Sequence, residues 1–324
     1  MNLLFCSVGR RGELIKDFKK TLGEKGQIIA TDISPYAPAL YLADKQYLVP
    51  RIDSPEYIPT ILEICKKENI RAITTFIDPE IKVLSENRKK LANLGVQVLA
   101  PYEKTAEYCF DKYEMYRYLT ECSIPTTPTY GNMSEFKKAL DEEEIRFPVF
   151  VKPRTGSGSV GARRVENLQE LKILLEGDAS LIIQKLMIGE DIDVDVYVDT
   201  ISKKAVSVFA KKKIETRIGG ANKTVSFKDE KLFELVQKIV DKFQFNGPID
   251  MDFFCIDGEY YLSEINPRFG GAYLHAYGAG VDFVKMIYNN VNGQENTVEF
   301  GTYEDGVVMM MYDSVVIKQK QELV

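Results

Sequence analysis

The chain has 324 residues, 45% of them hydrophobic, with a formal net charge of −6 and a pI of about 5.2. That length and apolar fraction allow roughly two or three domains with a sizeable core, and the acidic balance excludes a nucleic-acid binder that relies on general basicity. A single histidine, His275, leaves hydrolytic triads and His-rich metal mechanisms with one residue to pass through.

No apolar run reaches the length of a membrane span, and the opening MNLLFCSVGRR reads as a strand ending in a Gly-Arg-Arg turn rather than as a signal peptide. The expected location is therefore the cytoplasm. Cys6, Cys65, Cys109, Cys122 and Cys255 have no paired spacing and read as free thiols. Tryptophan is absent, so any adenine pocket has to be aliphatic, Tyr/Phe or backbone in character.

Residues 2 to 8 are an apolar run of buried-strand length, broken by Gly9-Arg10-Arg11-Gly12 before a helix predicted over 13–25. A second strand, 27–32, ends in Asp32, and strands at 72–76 and 96–99 alternate with helices at 55–69 and about 79–94. This is a Rossmann-like α/β unit. Its glycines do not fit G-x-G-x-x-G, which argues against a nicotinamide site, while Arg10 and Arg11 at a strand's carboxyl end could receive an anionic group.

From 101 the character changes. A helix over 105–122 carries Asp111-Lys112 near its start and leads into the proline-rich SIPTTPTY. The strand FPVFVKP, 147–153, places Lys152 just before the loop Arg154–Gly161, in which Gly156, Ser157, Gly158, Ser159, Val160 and Gly161 let backbone N–H groups approach phosphate oxygens closely. No G-K-[ST] opens a helix after it, so it is not a Walker loop, and Val165 belongs to a return strand. A helix over 167–176, the segment LIIQKLMIGE at 181–190, and a strand over 192–199 follow. The last alternates apolar residues with Asp193 and Asp195, the ordinary reading of which is a solvated face. Val206–Phe209 pairs with it and runs into Lys211-Lys212-Lys213, ordinarily a solvated edge, and then Arg217. A helix over 229–243 follows.

Residues 247–271 read GPIDMDFFCIDGEYYLSEINPRFGG, two apolar strands joined by Asp257-Gly258, a strong hairpin dipeptide. With those two as the loop, facing positions have numbers summing to about 515 and Asp252 falls opposite Ser263, one position from Glu264. Glu264 and Asn266 share a face. Two carboxylates and an amide make a hard-oxygen set of the kind that suits Mg²⁺, and Arg268 could hold an anion beside it. Beyond, glycines at 270–271 and 278–280 bracket a passage containing His275, read as packed, before a helix over 281–290 and a strand over 306–312.

The order of an acid, twelve positions, Glu-x-Asn-Pro-Arg resembles the metal hairpin of the ATP-grasp ligases, and NPRFGGAY at 266–273 is similar to the carbamoyl-phosphate-synthetase large-subunit-like branch. The resemblance implies a pre-ATP-grasp domain over 1–100, a small subdomain with linker helix and glycine loop over 101–185, and a C-terminal subdomain over 186–324, without room for the further domains of biotin carboxylase. It implies ATP and magnesium, with manganese as a substitute. Lys112, Lys152 and the glycine loop would hold phosphates. Gln184, Lys185, Leu186 and Met187 would flank adenine, and Glu190 would take the ribose; many members have Glu where Gln184 stands. Asp252, Glu264 and Asn266 would hold metal, and Arg268 and Arg217 would stabilise the transferring phosphoryl group. The implied activity is a carboxylate–amine ligase working through an acyl phosphate on small-molecule substrates, with no nucleic-acid or membrane partner and a homodimer as one assembly it allows. Two alternatives stay open: a carboxyphosphate-forming or kinase-like enzyme, and a non-catalytic ATP-binding module.

Overall fold

A computed structural model describes residues 1–156, 161–217 and 220–324. The N-terminal sheet is built from β1 (Asn2–Cys6), β2 (Gln27–Asp32), β3 (Lys45–Leu48), β4 (Ile70–Thr75) and β5 (Gln97–Val98), with α1 (Gly12–Leu22), α2 (Tyr57–Lys67), α3 (Asp78–Glu86) and α4 (Arg88–Ala92) between them. All pairs are parallel, in the order β3-β2-β1-β4-β5. β1, β2 and β4 are continuous apolar runs because helices cover both faces of a parallel sheet. The strand order reverses between β1 and β4, and the loops after those two strands, which carry Arg11 and Asp78, open a crevice there. β3 was not expected: KQYL is short, polar and at the sheet edge. Asp32 is engaged within its own loop, accepting from Gly9 N at 2.8 Å and Ser34 N at 3.0 Å.

The expected helix over 105–122 is two helices, α5 (Glu103–Phe110) and α6 (Lys112–Glu121). The break is at Asp111, whose side chain accepts from the Tyr113 and Glu114 amides as the N-cap of α6. Next come β6 (Thr129–Tyr130), α7 (Met133–Asp141), β7 (Val149–Pro153), β8 (Arg163–Val165), α8 (Leu168–Gly177) and β9 (Leu181–Lys185). Their strands make a four-stranded sheet, β6-β9-β7-β8, over a small core that includes Phe136, Val149, Val151 and Ile183.

The last sheet is seven-stranded. β10 (Glu190–Val198), β11 (Ala205–Arg217), β12 (Gly220–Phe227), α9 (Glu230–Val240), β13 (Gly247–Ile256), β14 (Glu259–Asn266), α10 (Tyr273–Gly278), α11 (Phe283–Val291), β15 (Glu299–Phe300) and β16 (Val308–Met310) follow in the chain. The strand order is β14-β13-β10-β11-β12-β16, with β15 beside β11. Residues 186–189 carry the chain from β9 of the small sheet to β10 of the large one. Gly189 is required there, because a Cβ would collide with the Cys255 carbonyl oxygen.

The N-terminal sheet and the large sheet share one core. Phe18 stacks on Phe5 at 4.9 Å between ring centroids and meets Phe269 at 4.8 Å; Phe269 meets Tyr273 at 4.9 Å, and Tyr273 meets Phe283 at 4.8 Å. Each such pair adds about 0.5–1.5 kcal/mol beyond its area. The chain therefore holds β1 and α1 in a set position against the end of β14 and the helices after it.

Candidate functional site

The site is one face of the large sheet. Strand register aligns Lys211, Asp193, Asp252 and Glu264 in one row across β11, β10, β13 and β14, and Asp195, Asp250 and Asn266 in the next. Alternate positions on the other face, including Ile192, Val194, Val196, Met251 and Phe253, are buried apolar residues. The alternation in β10 was read as a solvated face. That is corrected: Asp193 and Asp195 are buried, 5% and 1% exposed, as is Lys211 at 0%.

The hairpin register is also corrected. At the turn Ile256 faces Glu259 as expected, with φ of 51° at Asp257 and 77° at Gly258. An irregularity between Asp252 and Phe253 then shifts the pairing by one, so Asp252 faces Glu264 directly and Asp250 faces Asn266. The bulge converts a diagonal pair into an opposed one. Asn266 Nδ2 lies 3.4 Å from Asp252 Oδ2 and 3.3 Å from Asp250 Oδ2. The proposed metal ligands are thus brought together. Their hard-oxygen donors fit magnesium, and both carboxylates already attract cations: Lys213 Nζ is 2.5 Å from Asp252 Oδ1, and Lys112 Nζ is 3.6 Å from Glu264 Oε1.

Asp193, Asp195 and Asp250 also bring carboxylate oxygens within 4.8 Å of one another. Here the cation is the protein's own. Lys211 Nζ is 2.6 Å from Asp193 Oδ1 and bonds Asp195 as well. Burial pushes the Asp195 carboxyl up to about 7, while on Asp193 the effect of burial is outweighed by Lys211 and Lys213, which hold it below the usual range. His275 packs behind this cluster, its Nδ1 2.8 Å from Thr224 Oγ1; burial and then Lys211 lower it to about 4, so it is neutral.

Lys112 and Lys152 converge on the hairpin. Lys112 donates to the Gly156 carbonyl at 2.5 Å, and its backbone amide bonds Arg154 O at 3.0 Å. Arg154 in turn grips Asp111 at 2.7 Å, so the start of α6 is tied to the glycine loop. The Lys152 side chain has no hydrogen bond or ion pair among the described residues; burial lowers its affinity for the proton, with Glu264 pulling it up and Lys112 pushing it down. Gly156, at φ 105°, and Gly161, at φ 76°, take conformations that favour glycine. Ser157, Gly158, Ser159 and Val160 lie outside the described residues. A cavity lined by Asp78, Cys109, Gly156, Glu264, Asn266 and Pro267 connects this loop to the hairpin and to α3.

The remaining expected ligands are more dispersed. Gln184 is buried and donates to Thr129 Oγ1 at 2.8 Å. Lys185 is exposed, Leu186 and Met187 are half-buried on the link, and Glu190 pairs with Lys212 at 2.7 Å. Arg268 is not a free fork: Nε is 2.7 Å from Asp78 Oδ1, Nη2 is 3.1 Å from Asp78 Oδ2, and Nη1 is 3.8 Å from Asp250 Oδ2. Arg217 is 64% exposed at the end of β11, 3.7 Å from Asp313, and among the described residues it has no ion pair with the hairpin. The basic residue of this segment that does reach it is Lys213, which the sequence reading treated as part of a solvated run. On Lys213 burial opposes the charge, but Asp252, Asp193 and Asp191 hold it above the usual lysine range. Its signal was parity: Lys213 shares a face with Lys211 on β11.

Comparison with known proteins decides the family. Residues 109–272, just over half of the chain, match the ATP-grasp domain, and residues 3–99 match the PylC-like N-terminal domain. The chain belongs to the ATP-grasp family. A carbamoyl-phosphate synthase of Methanobrevibacter smithii is 26% identical over 91% of this chain and 81% of its own length. A D-alanine–D-alanine ligase of Nitratiruptor is 25% identical over 58% of this chain and 60% of its own. The fold is that of the biotin carboxylase domain of Hydrogenobacter thermophilus 2-oxoglutarate carboxylase, solved with MgADP and bicarbonate (TM-score 0.75, 19% identity, 95% of this chain and 73% of that one). It is likewise that of Staphylococcus aureus N5-carboxyaminoimidazole synthetase with ADP (TM-score 0.72, 18% identity, 92% and 79%). This ATP-grasp chain is of the ligase class, with an α/β N-terminal sheet followed by a two-part grasp, and ATP and magnesium are the cofactors of that class. No helix among the described residues is long and apolar enough to cross a membrane.

Proposed function

We propose that this ATP-grasp protein joins a small-molecule carboxylate to an amine. The observation that carries the reading is the opposed pair Asp252 and Glu264, with Asn266 beside them and Lys112, Lys152 and Lys213 around them. Bound there, magnesium, or manganese in its place, would neutralise phosphate oxygens. Lys112, Lys152 and Lys213 would hold the phosphates by charge-assisted hydrogen bonds, Leu186 and Met187 would flank adenine, and Glu190 would turn from Lys212 to the ribose. A substrate carboxylate oxygen attacks the γ-phosphorus as ADP leaves. The amine nitrogen then attacks the acyl carbon, phosphate departs, and the amine proton goes to solvent. Lys213 takes over the role given to Arg217, and Arg268 orients the hairpin from its place against Asp78. The chain's own groups bind and balance charge, and no protein nucleophile is needed.

The proposed limits are 1–100, 101–185 and 186–324, the proposed location is the cytoplasm, and a homodimer is the assembly to test; nucleic acid and membrane are not among the proposed partners. A second reading, phosphorylation of bicarbonate, is favoured by the bicarbonate bound in the carboxylase neighbour. Measuring ADP release with a panel of carboxylates that includes bicarbonate, with and without amines, distinguishes the two. Acid-dependent, amine-stimulated release is expected, and release indifferent to every acid would overturn the ligase reading.

A further inference from the structure

Two of the three lysines around the hairpin are already drawn to the carboxylates assigned to the metal, Lys213 at hydrogen-bond distance and Lys112 at longer range. Lys213 Nζ sits 2.5 Å from Asp252 Oδ1 and 2.9 Å from Asp191 Oδ1, with its side chain only 12% exposed. Lys112 Nζ is 3.6 Å from Glu264 Oε1, with its side chain 10% exposed. An ammonium hydrogen-bonded to a carboxylate oxygen and a divalent ion ligated by that oxygen exclude each other.

We infer that Lys213, and less strongly Lys112, are resident counter-ions of the metal ligands, so that the site accepts a divalent cation only together with nucleotide. The charges explain why. Lys112, Lys152 and Lys213 lie among Asp191, Asp252 and Glu264 in a largely buried setting, with Asp193 also near Lys213 but bonded to Lys211. A divalent ion alone would crowd its two charges against these ammoniums and would drive the Lys213 ammonium from Asp252 with only Asp191 to fall back on. A triphosphate brings the missing negative charge and receives the displaced ammoniums on its oxygens. Lys152, whose side chain has no partner among the described residues, is the one of the three free to meet phosphate first. The two displacements differ in kind: Lys213 is held by two carboxylates at bonding distance, whereas Lys112 bonds the Gly156 carbonyl and meets Glu264 only at longer range.

This inference rests on the reading of Asp252, Glu264 and Asn266 as metal ligands, and the test separates the two. Free Mn²⁺ is followed by electron paramagnetic resonance during titration of the full chain, with and without the non-hydrolysable β,γ-imido analogue of ATP. Wild type is expected to bind Mn²⁺ at least tenfold more tightly with the analogue than without it. Lys213→Met, which keeps the apolar stem, is expected to bind Mn²⁺ alone at least tenfold more tightly than wild type alone, and Lys112→Met to show a smaller gain. If Lys213→Met alone binds no better than wild type alone while both bind tightly with the analogue, the counter-ion inference is overturned and the metal site stands. If no form binds Mn²⁺ even with the analogue, the metal-site reading falls, and the inference with it. Thermal melting covers a variant too unstable to titrate. Mn²⁺ without nucleotide should raise the midpoint of Lys213→Met and leave wild type unmoved, and a variant that Mn²⁺ does not raise overturns the inference.

Discussion

Replacing Glu264 by glutamine keeps the shape of the hairpin and removes one of its two opposed charges, so binding and turnover separate. Glu264→Gln is expected to fold normally and to retain adenine-nucleotide affinity by calorimetry. It should lose most ADP release at low magnesium, with partial recovery when magnesium is raised. Full activity at low magnesium would remove Glu264 from the site. Lys152 tests the nucleotide side. Lys152→Ala deletes an ammonium whose charge-assisted bond to a buried phosphate contributes about 1.5–3 kcal/mol, so ATP affinity should fall roughly tenfold to a hundredfold; an unchanged dissociation constant would reject its placement. At this scale the residues legible in sequence were those whose chemistry is shared by few alternatives. Asp252, Glu264 and Asn266 stood out as hard-oxygen donors around an Asp-Gly turn. Lys213 did not, because three consecutive lysines look alike until the pairing of β11 puts Lys211 and Lys213 on the face of the acids and the side-chain contacts give Lys211 to Asp193 and Lys213 to Asp252. Arg217 lies four residues further along β11, roughly 13 Å at strand rise, and that distance takes it away from the hairpin.

Element boundaries and pairing show where pattern reading stops. Alternation in β10 reports that the strand has two faces, and it cannot report that both are covered. The acids of β10 looked solvated for that reason, although Lys211 on the neighbouring strand compensates them. The bulge in the hairpin has no composition signal, and it changes the residue opposite Asp252 from Ser263 to Glu264. The fold of the N-terminal sheet was read almost whole, since β1, β2 and β4 are continuous apolar runs, and only the short polar edge strand β3 escaped. The link between the sheets gives a direct check. Gly189→Ala places a methyl group against the Cys255 carbonyl, and a shift of packed backbone costs about 1–3 kcal/mol. Gly177, at the end of α8, has nothing within 4 Å of its virtual Cβ, so Gly177→Ala should be neutral or slightly stabilising. Urea midpoints measured side by side test this, and equal midpoints for the two variants would refute the close approach.

The whole molecule carries one acid whose titration should be visible in its stability. Glu80 is fully buried beneath the crevice, hydrogen-bonded by Tyr57 and Thr75, and burial pushes its carboxyl up to about 8. The folded chain keeps this proton where the unfolded chain has lost it, so Glu80 makes unfolding progressively easier as pH rises from about 4.5 towards 8. Glu80→Gln should flatten that slope, read from urea unfolding at several pH values across the window; a variant with the wild-type slope would show that Glu80 is not the group responsible. The same crevice is joined to the hairpin through the buried pair Arg268 and Asp78, one from the segment after β14 and one from the N-terminal region. That pair limits how freely the two regions can be recombined. A chimera that borrows its N-terminal region from another ATP-grasp protein, in pursuit of a new substrate, has to bring an acid at the first turn of the helix after β4. Without one, the guanidinium loses its closest partner and keeps only Asp250 at 3.8 Å and the Phe269 carbonyl, at a cost of up to about 3–5 kcal/mol, so a graft chosen only for its crevice would be weakened before its specificity could be assayed.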